Sequence, residues 1–131
     1  MTVLVVVAAA ICREGRLLVA RRAHPPELSG LWELPGGKAE AHEDESAALV
    51  RECREELGVE IAVNDRVGPD LAIKDGWTLR AYAARLRSGQ PQALEHLELH
   101  WAKADELAEL AWLPVNAILV PHLRELLRPS A

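Results

Sequence analysis

Apolar residues form one long run near the start of the chain and shorter patterns after it. The run at residues 3–12 is rich in β-branched side chains and predicts a buried strand. It is too short to span a bilayer, and no basic residues precede it as they do in a signal peptide. After a turn at residues 13–15, residues 16–22 predict the second strand of a hairpin.

A helix with two chemically different faces is predicted between Asp44 and Gly58. Aspartate is a good N-cap, and glycine suits the left-handed residue that ends many helices. At about 100° per residue, one face of this helix gathers three carboxylates within about 100° of arc. The acidic face carries Glu52, Glu55 and Glu56, and the opposite face carries Val50, Cys53 and Leu57. One face therefore packs, and the other presents charge.

The pattern after this helix predicts three strands followed by two helices. The strands are residues 59–67, 77–87 and 95–101, and the helices are residues 104–109 and 117–127. Gly68, Pro69 and a turn at residues 74–76 are expected to separate the first two of these strands. Strands on both sides of a central helix, followed by a terminal helix, indicate an α/β fold with a mixed sheet covered on both faces.

Three glutamates on neighbouring turns of one helix face repel one another unless a cation lies among them. Mg²⁺ prefers oxygen ligands and is commonly held by one or two carboxylates together with phosphates and water. The acidic face therefore indicates a site for Mg²⁺ and a phosphate-containing ligand. The alternative is a solvated acidic surface that Arg51 and Arg54 neutralise.

A glycine-rich loop precedes the helix. Leu34, Pro35, Gly36, Gly37 and Lys38 predict a tight turn, and glycine allows close backbone approach there because it has no Cβ. Such a loop can offer main-chain groups to a metal or to a phosphate. The loop, the helix and its acidic face thus form one candidate unit.

Composition and charge narrow the range of partners. The chain has 131 residues, of which 50% are apolar and 27% charged, as expected for one globular domain over residues 1–131. Its net charge of -5 argues against a broad electrostatic contact with nucleic acid or an anionic membrane. A polyanionic substrate would instead need a metal and a few local cations. Cys12 and Cys53 provide neither a disulfide framework nor a zinc pair, which favours a reducing cytoplasm.

Residues 37–59 read GKAEAHEDESAALVRECREELGV and match every fixed position of the Nudix signature. Fixed residue types at fixed spacing make a chance match on the order of 10⁻⁸ or rarer per starting point. The chain is thus similar to the Nudix hydrolases and, more narrowly, resembles the MutT-type nucleoside triphosphate pyrophosphohydrolases. Four further segments resemble that subfamily in the same order: LLVARR, GLWELPGGK, EHLELHW and LPVN.

The resemblance implies an α/β/α sandwich around a mixed β-sheet and hydrolysis of phosphoric anhydride bonds. It implies Mg²⁺, with Mn²⁺ as an alternative, and attack by water on the β-phosphorus of a (d)NTP. The products would be a nucleoside monophosphate and pyrophosphate, and removal of oxidised nucleotides such as 8-oxo-dGTP would connect the enzyme to nucleotide-pool sanitation and DNA repair. The expected protein is cytoplasmic, is a monomer or a homodimer, and does not bind nucleic acid stably.

The resemblance also implies roles for individual residues. The implied metal ligands are the Gly36 carbonyl, Glu52, Glu55 and Glu56, with Glu95 as a further ligand or as the general base. Arg51 would orient the glutamates, and Arg22 and Lys38 would hold phosphates. Gly37 would support the loop, and Glu43 would support the loop or an extra metal. The choice of general base stays open, and on its pattern alone Glu95 is an exposed strand residue.

Base selection is open between two interpretations. Asn116 resembles the asparagine with which the 8-oxo-dGTP enzyme reads O6 and N7–H, because an amide both donates and accepts hydrogen bonds. Asn116 is also placed to cap the terminal helix, and the two roles are compatible. The segment ELSGLWELPGGK instead resembles relatives that cleave CTP, dCTP or 5-methyl derivatives, although those usually carry aspartate where this chain has Asn116. Trp32 and Trp77 are candidates for base stacking or for packing.

The histidines show no metal-binding spacing. A surface or packing role is expected for all five, which are His24, His42, His96, His100 and His122. A function of another class is a Nudix module that senses nucleotides without catalysis. Such modules generally have damaged glutamates and an attached DNA-binding domain, neither of which this sequence shows. Catalysis is therefore the favoured interpretation.

Overall fold

The computed structural model describes residues 4–129, whose strands form one mixed sheet. The strands are β1 (Leu4–Arg13), β2 (Arg16–Arg21), β3 (Trp32–Glu33), β4 (Gly36–Lys38), β5 (Glu60–Ala72), β6 (Trp77–Ser88) and β7 (Glu98–Ala102). The helices are α1 (Glu45–Leu57), α2 (Pro114–Ala117) and α3 (Val120–Leu126). Single 3₁₀ segments occupy Pro26–Leu28, Lys74–Gly76 and Ala104–Glu109.

β1 is the central strand. It pairs in parallel with β6 and antiparallel with β2 and β4. β5 extends the sheet beyond β6, and both β3 and β7 pair with β2. Gly36 lies opposite Ala8 in the pairing of β4 with β1, so the glycine loop is attached to the middle of the sheet. The predicted buried strand and hairpin are confirmed, although Val3 falls outside the described residues.

Helices cover both faces of the sheet. On one face, side chains of α1 pack on alternate residues of β1, namely Val5, Val7, Ala9 and Ile11. On the other face, Ala8 and Ala10 pack with leucines of the C-terminal helical segment. Because successive residues of β1 face opposite covered layers, the whole strand is apolar. The α/β/α sandwich is confirmed, and no helix within residues 4–129 is long and apolar enough to cross a bilayer.

Two strands differ from their predicted bounds by more than one residue at an end. β5 continues through Gly68 and Pro69, because a shift of register against β6 accommodates these residues within the strand. β7 begins at Glu98 rather than at Glu95. Leu97 is 54% exposed, so the apolar alternation that predicted a strand there does not mark a buried face.

The terminal helix predicted at residues 117–127 is two short helices, α2 and α3. Pro121 has no N–H to donate to the Ala117 carbonyl, which interrupts the helical hydrogen bonds. Asn116 lies inside α2, whose N-cap is Leu113. The prediction that Asn116 is an N-cap is therefore wrong.

Candidate active site

The two glycines of the loop are packed too closely for any side chain. A Cβ on Gly36 would lie 2.0 Å from the Val7 carbonyl oxygen. A Cβ on Gly37 would lie 2.5 Å from the carboxyl carbon of Glu52. The loop backbone therefore lies directly against the first glutamate of the acidic face.

The ends of α1 are formed as the sequence predicted. Asp44 Oδ1 accepts a hydrogen bond from the Ala47 N–H at 2.8 Å. Gly58 adopts the left-handed conformation with φ of 69° at the other end. These local signals fix where α1 begins and ends, and thereby which of its residues face the glycine loop.

Arg51 connects the glycine loop with the carboxylates around it. Its Nε and Nη2 donate to the two oxygens of Glu43 at 2.8 and 2.9 Å, and its Nη1 donates to Glu52 Oε1 at 3.0 Å. Its Nη2 also reaches the Lys38 carbonyl oxygen at 3.2 Å. The hydrogen bonds from Arg51, supported by the Glu40 N–H, lower the pKa of Glu43 to about 2. Arg51 therefore orients Glu52 and holds the loop against α1.

Glu56 carries a buried carboxyl group, one oxygen of which lacks a hydrogen-bond partner within residues 4–129. Its side chain is 10% exposed, and its Oε2 has no hydrogen-bond partner among the described residues. Burial and, after it, the neighbouring Glu52 carboxylate raise the pKa of Glu56 to about 9, and the charges of Glu33 and Glu95 add to this effect. A bound cation would offset the repulsion between this buried carboxyl group and the carboxylates around it.

Glu33 and His96 belong to this cluster, although the sequence did not identify either one. His96 Nε2 lies 3.1 Å from Glu33 Oε2 and 3.6 Å from Glu56 Oε1, and the imidazole is 5% exposed. The other oxygen of Glu33 accepts a hydrogen bond from Arg22 Nη1 at 2.9 Å. Nothing in the spacing of residues 33, 56 and 96 predicts this contact, because these residues lie on different elements that only the tertiary structure brings together.

The remaining predicted residues are more exposed to solvent or make other contacts. Glu55 has a side chain that is 52% exposed, with Arg51 at 3.4 Å. Glu95 is exposed in the segment before β7. Lys38 Nζ lies 4.7 Å from the centre of the Trp77 ring, so one face of this ring makes a cation–π contact within the protein. Trp32 packs against the core on the α3 side of the sheet.

The cluster has the donor chemistry of a site for a hard divalent cation but not a finished coordination shell. Within residues 4–129, no three His, Cys, Asp or Glu side chains are arranged to hold a metal ion. Carboxylate oxygens suit Mg²⁺, and the unpartnered Glu56 Oε2 is such a donor. The residues fit a cation by chemistry, and binding it requires glutamate side chains to change rotamer.

Asn116 is buried beside the entrance to the glycine loop. Its Oδ1 accepts a hydrogen bond from the Leu34 N–H at 3.0 Å, and the residue is 5% exposed. No described residue accepts a hydrogen bond from its Nδ2. The side chain thus joins α2 to the segment between β3 and β4, and its NH₂ group is left for another partner.

Comparison with known proteins gives a consistent result across the chain. A family model described as NUDIX domain matches residues 1–130. A Mycobacterium tuberculosis protein named "Putative 8-oxo-dGTP diphosphatase 2" is 49% identical over 97% of this chain and 92% of its own length. The Escherichia coli protein named "CTP pyrophosphohydrolase" is 37% identical over 92% of this chain and 90% of its own length.

Solved structures show the same architecture. The solution structure of the E. coli ORF135 protein has a TM-score of 0.81 and 35% identity, and covers 100% of this chain and 96% of that one. The crystal structure of a MutT NUDIX hydrolase from Burkholderia pseudomallei has a TM-score of 0.78 and 32% identity, over 90% of this chain and 95% of that one.

Proposed function

The chain belongs to the Nudix hydrolase family, and we propose that it is a Mg²⁺-dependent pyrophosphohydrolase of nucleoside triphosphates. It would convert a (d)NTP to a nucleoside monophosphate and pyrophosphate. The observation that carries this proposal is the acidic face of α1, held against the glycine loop by Arg51 and containing an unpartnered buried carboxyl at Glu56. That arrangement suits a cation and a polyphosphate together.

Several oxygen donors of this chain would hold the metal. The proposed ligands are the Gly36 carbonyl, Glu52, Glu55 and Glu56, with Glu95 as a further ligand or as the general base. A divalent cation at this site supplies neutralisation of phosphate charge and acidification of water. Mn²⁺ is the proposed substitute for Mg²⁺, because it also prefers oxygen ligands.

The other residues of the site orient the substrate and its ligands. Arg51 holds Glu52 by a charge-assisted hydrogen bond, and Glu43 fixes Arg51 in turn. Arg22 carries positive charge next to the cluster, and Lys38 ends the glycine loop with its ammonium group over the Trp77 ring. Both would bind phosphate oxygens. A carboxylate would accept the proton of the water that attacks the β-phosphorus.

We propose 8-oxo-dGTP and related oxidised nucleotides as the preferred substrates. The 49% identity to the M. tuberculosis relative supports this choice. Asn116 supports it chemically, because its Oδ1 can accept from N7–H and its Nδ2 can donate to O6 of 8-oxoguanine. Guanine presents two acceptors at these positions, so the same amide pairs less well with it.

A cytidine triphosphate is the second candidate substrate. The 37% identity to the E. coli relative named CTP pyrophosphohydrolase favours it. Against it stands Asn116, where the resemblance to cytidine-specific relatives leads one to expect aspartate. A third possibility, a nucleotide-sensing module without catalysis, predicts binding but no turnover.

One screen separates these proposals. Purified protein with Mg²⁺ should be incubated with standard, oxidised and methylated NTPs and dNTPs, and the products identified by chromatography. We expect monophosphate and pyrophosphate, with kcat/KM highest for 8-oxo-dGTP. Highest kcat/KM for CTP or 5-methyl-dCTP would support the second candidate, and binding without products would support the third.

The proposed cellular setting follows from charge and family. We propose one catalytic domain over residues 1–131 that acts on the nucleotide pool in the cytoplasm. A net charge of -5 opposes stable binding to nucleic acid or to an anionic membrane. Either a monomer or a homodimer is compatible with the proposal, and sedimentation distinguishes them.

A further inference from the structure

We infer that His96 is a positioning residue of the proposed active site. It holds Glu33, and through Glu33 the guanidinium group of Arg22, at the wall of the acidic cluster. The inference rests on the proposed function, in which Arg22 binds phosphate and Glu56 binds the cation. His96 would connect the phosphate-binding part of the site at Arg22 with the cation-binding part at Glu56.

Two side chains donate hydrogen bonds to the Glu33 carboxylate, one to each oxygen. An ionised carboxylate only accepts, so the 3.1 Å contact of His96 Nε2 with Glu33 Oε2 requires the proton on Nε2. Glu33 Oε1 accepts from Arg22 Nη1 at 2.9 Å, and Arg22 Nε donates to the His24 carbonyl oxygen at 3.0 Å. Arg22 is therefore fixed at two points, one of which depends on the orientation of Glu33.

Burial distinguishes His96 from a histidine that merely fills space. Its imidazole is 5% exposed, yet Nδ1 has no hydrogen-bond partner among the described residues. Burying an unsatisfied ring nitrogen costs free energy that a leucine of similar size would avoid. The contact that offsets this cost is made at Nε2, which faces Glu33 and Glu56.

The main chain holds His96 in place independently of its side chain. Leu94 N–H donates to the Glu56 carbonyl oxygen at 3.3 Å, and Leu97 N–H donates to the Arg21 carbonyl oxygen at 2.9 Å. The segment around His96 is thus attached both to the end of α1 and to the end of β2. Substituting the imidazole should therefore change the hydrogen bond to Glu33 without releasing the segment.

Two substitutions at His96 and one control test the inference by kinetics. His96→Leu removes the donor, whereas His96→Gln keeps an N–H donor at a similar distance from Cα. We expect kcat/KM to fall by about tenfold or more in His96→Leu, with the larger share in KM, and to return to within about threefold of wild type in His96→Gln. The control is His100→Leu, which removes a 2.7 Å contact with Glu106 at a 42% exposed histidine and should change kcat/KM by less than about twofold.

A double-mutant cycle asks whether His96 acts through Glu33. Glu33→Gln should raise KM about as much as His96→Leu does, and the double variant should be no worse than the more impaired single variant. Additive losses, a fall confined to kcat, or equal impairment of His96→Gln and His96→Leu would overturn the positioning role.

A readout without turnover separates this inference from the proposed function. In metal-free protein, ¹⁵N NMR of the imidazole should show His96 with its proton on Nε2, and Glu33→Gln should shift that resonance. A proton on Nδ1, or a resonance that Glu33→Gln leaves unchanged, would overturn the inference. An intact signature in a wild-type protein that hydrolyses no nucleotide would instead contradict the proposed function.

Discussion

Glu56 is the residue at which folding stability and the proposed activity oppose each other. Its burial and the adjacent Glu52 raise its pKa to about 9, so the carboxyl is protonated at neutral pH while no cation is bound. A cation would favour the ionised form. The arrangement therefore costs stability in the metal-free protein, and the proposed cation would offset this cost.

Glu56→Gln should stabilise the metal-free protein at pH 8. The unfolded carboxyl ionises near pH 4.3, whereas the folded one ionises near pH 9, so the stability of wild type falls as pH rises between these values. Urea unfolding in EDTA should show that the variant is more stable than wild type at pH 8, by up to about 5 kcal/mol, and has no advantage near pH 4. Turnover should fall by about 10²-fold or more.

The control for this prediction is Glu55→Gln on the same helix. Because the Glu55 side chain is 52% exposed, its substitution should leave the free energy of unfolding nearly unchanged at both pH values. Identical pH dependence of unfolding in wild type and Glu56→Gln would show that the buried Glu56 carboxyl does not destabilise the metal-free protein. Full turnover in the variant would show that the carboxylate is not needed for activity.

Gly37→Ala should reduce activity more than stability. The added Cβ would meet the Glu52 carboxylate at 2.5 Å, and this flexible side chain can move away while the fold remains. Gly36→Ala should instead destabilise the protein, since its Cβ would meet the Val7 backbone at 2.0 Å. Thermal unfolding and kcat measured on both variants check this contrast, and equal losses of stability would refute it.

Asn116→Asp should change the choice of base. Aspartate can still accept the Leu34 N–H but cannot donate to O6, so selectivity should move from 8-oxo-dGTP toward cytidine nucleotides by roughly 1–3 kcal/mol. Stability should fall rather than rise, because Asn116 is buried and is not an N-cap. Asn64→Asp, at an exposed position, is the matched control. An unchanged ratio of kcat/KM values would mean that Asn116 only holds Leu34.

At the scale of secondary structure, α1 places charge and packing on one short element. Its apolar residues face the sheet, while Arg51 and Glu52 face the glycine loop. The helix must begin at a fixed residue for this division to work, and Asp44 provides that start. The cap thus contributes to the geometry of the site as well as to stability.

Asp44→Ala should cost about 1 kcal/mol of folding stability, because it leaves the Ala47 N–H without an acceptor. Asp44→Asn keeps an acceptor at the same position and should lose only a few tenths of this amount. Urea unfolding of the two variants measures the difference. If both variants lose the same stability, the hydrogen bond to Ala47 is not what stabilises the start of α1.

Local signals explain which elements the sequence predicted. The hairpin of β1 and β2 and the caps of α1 depend on neighbouring residues, and both were predicted. The break between α2 and α3 and the passage of β5 through Gly68 depend on which hydrogen bonds the tertiary structure leaves available. Neither could be read from periodicity, because a proline or glycine is compatible with a break or with a bulge.

At the scale of the whole molecule, the sheet brings four distant parts of the chain to one site. Arg51, Glu52 and Glu56 were predicted because they lie in one contiguous motif. Glu33 and His96 were missed because they come near Glu56 through the pairing of β2 with β3 and β7 and through the hydrogen bond from Leu94 to the end of α1. Contacts within one helix could be predicted from spacing, and contacts between elements distant in the sequence could not.

The net charge of the whole molecule affects how it can bind a polyanionic substrate. A net charge of -5 and an acidic cluster oppose the binding of a triphosphate by surface potential alone. In the proposed function divalent cations accompany the substrate, so excess EDTA should abolish turnover and added Mg²⁺ should restore it.

The measurement that tests the central claim most directly is hydrolysis in ¹⁸O-labelled water with Mg²⁺ and a nucleoside triphosphate, 8-oxo-dGTP first. We predict a nucleoside monophosphate and pyrophosphate, with the label in pyrophosphate, because water is proposed to attack the β-phosphorus. Mass spectrometry of both products distinguishes the outcomes. Label in the monophosphate, or release of a diphosphate and inorganic phosphate, would contradict the account.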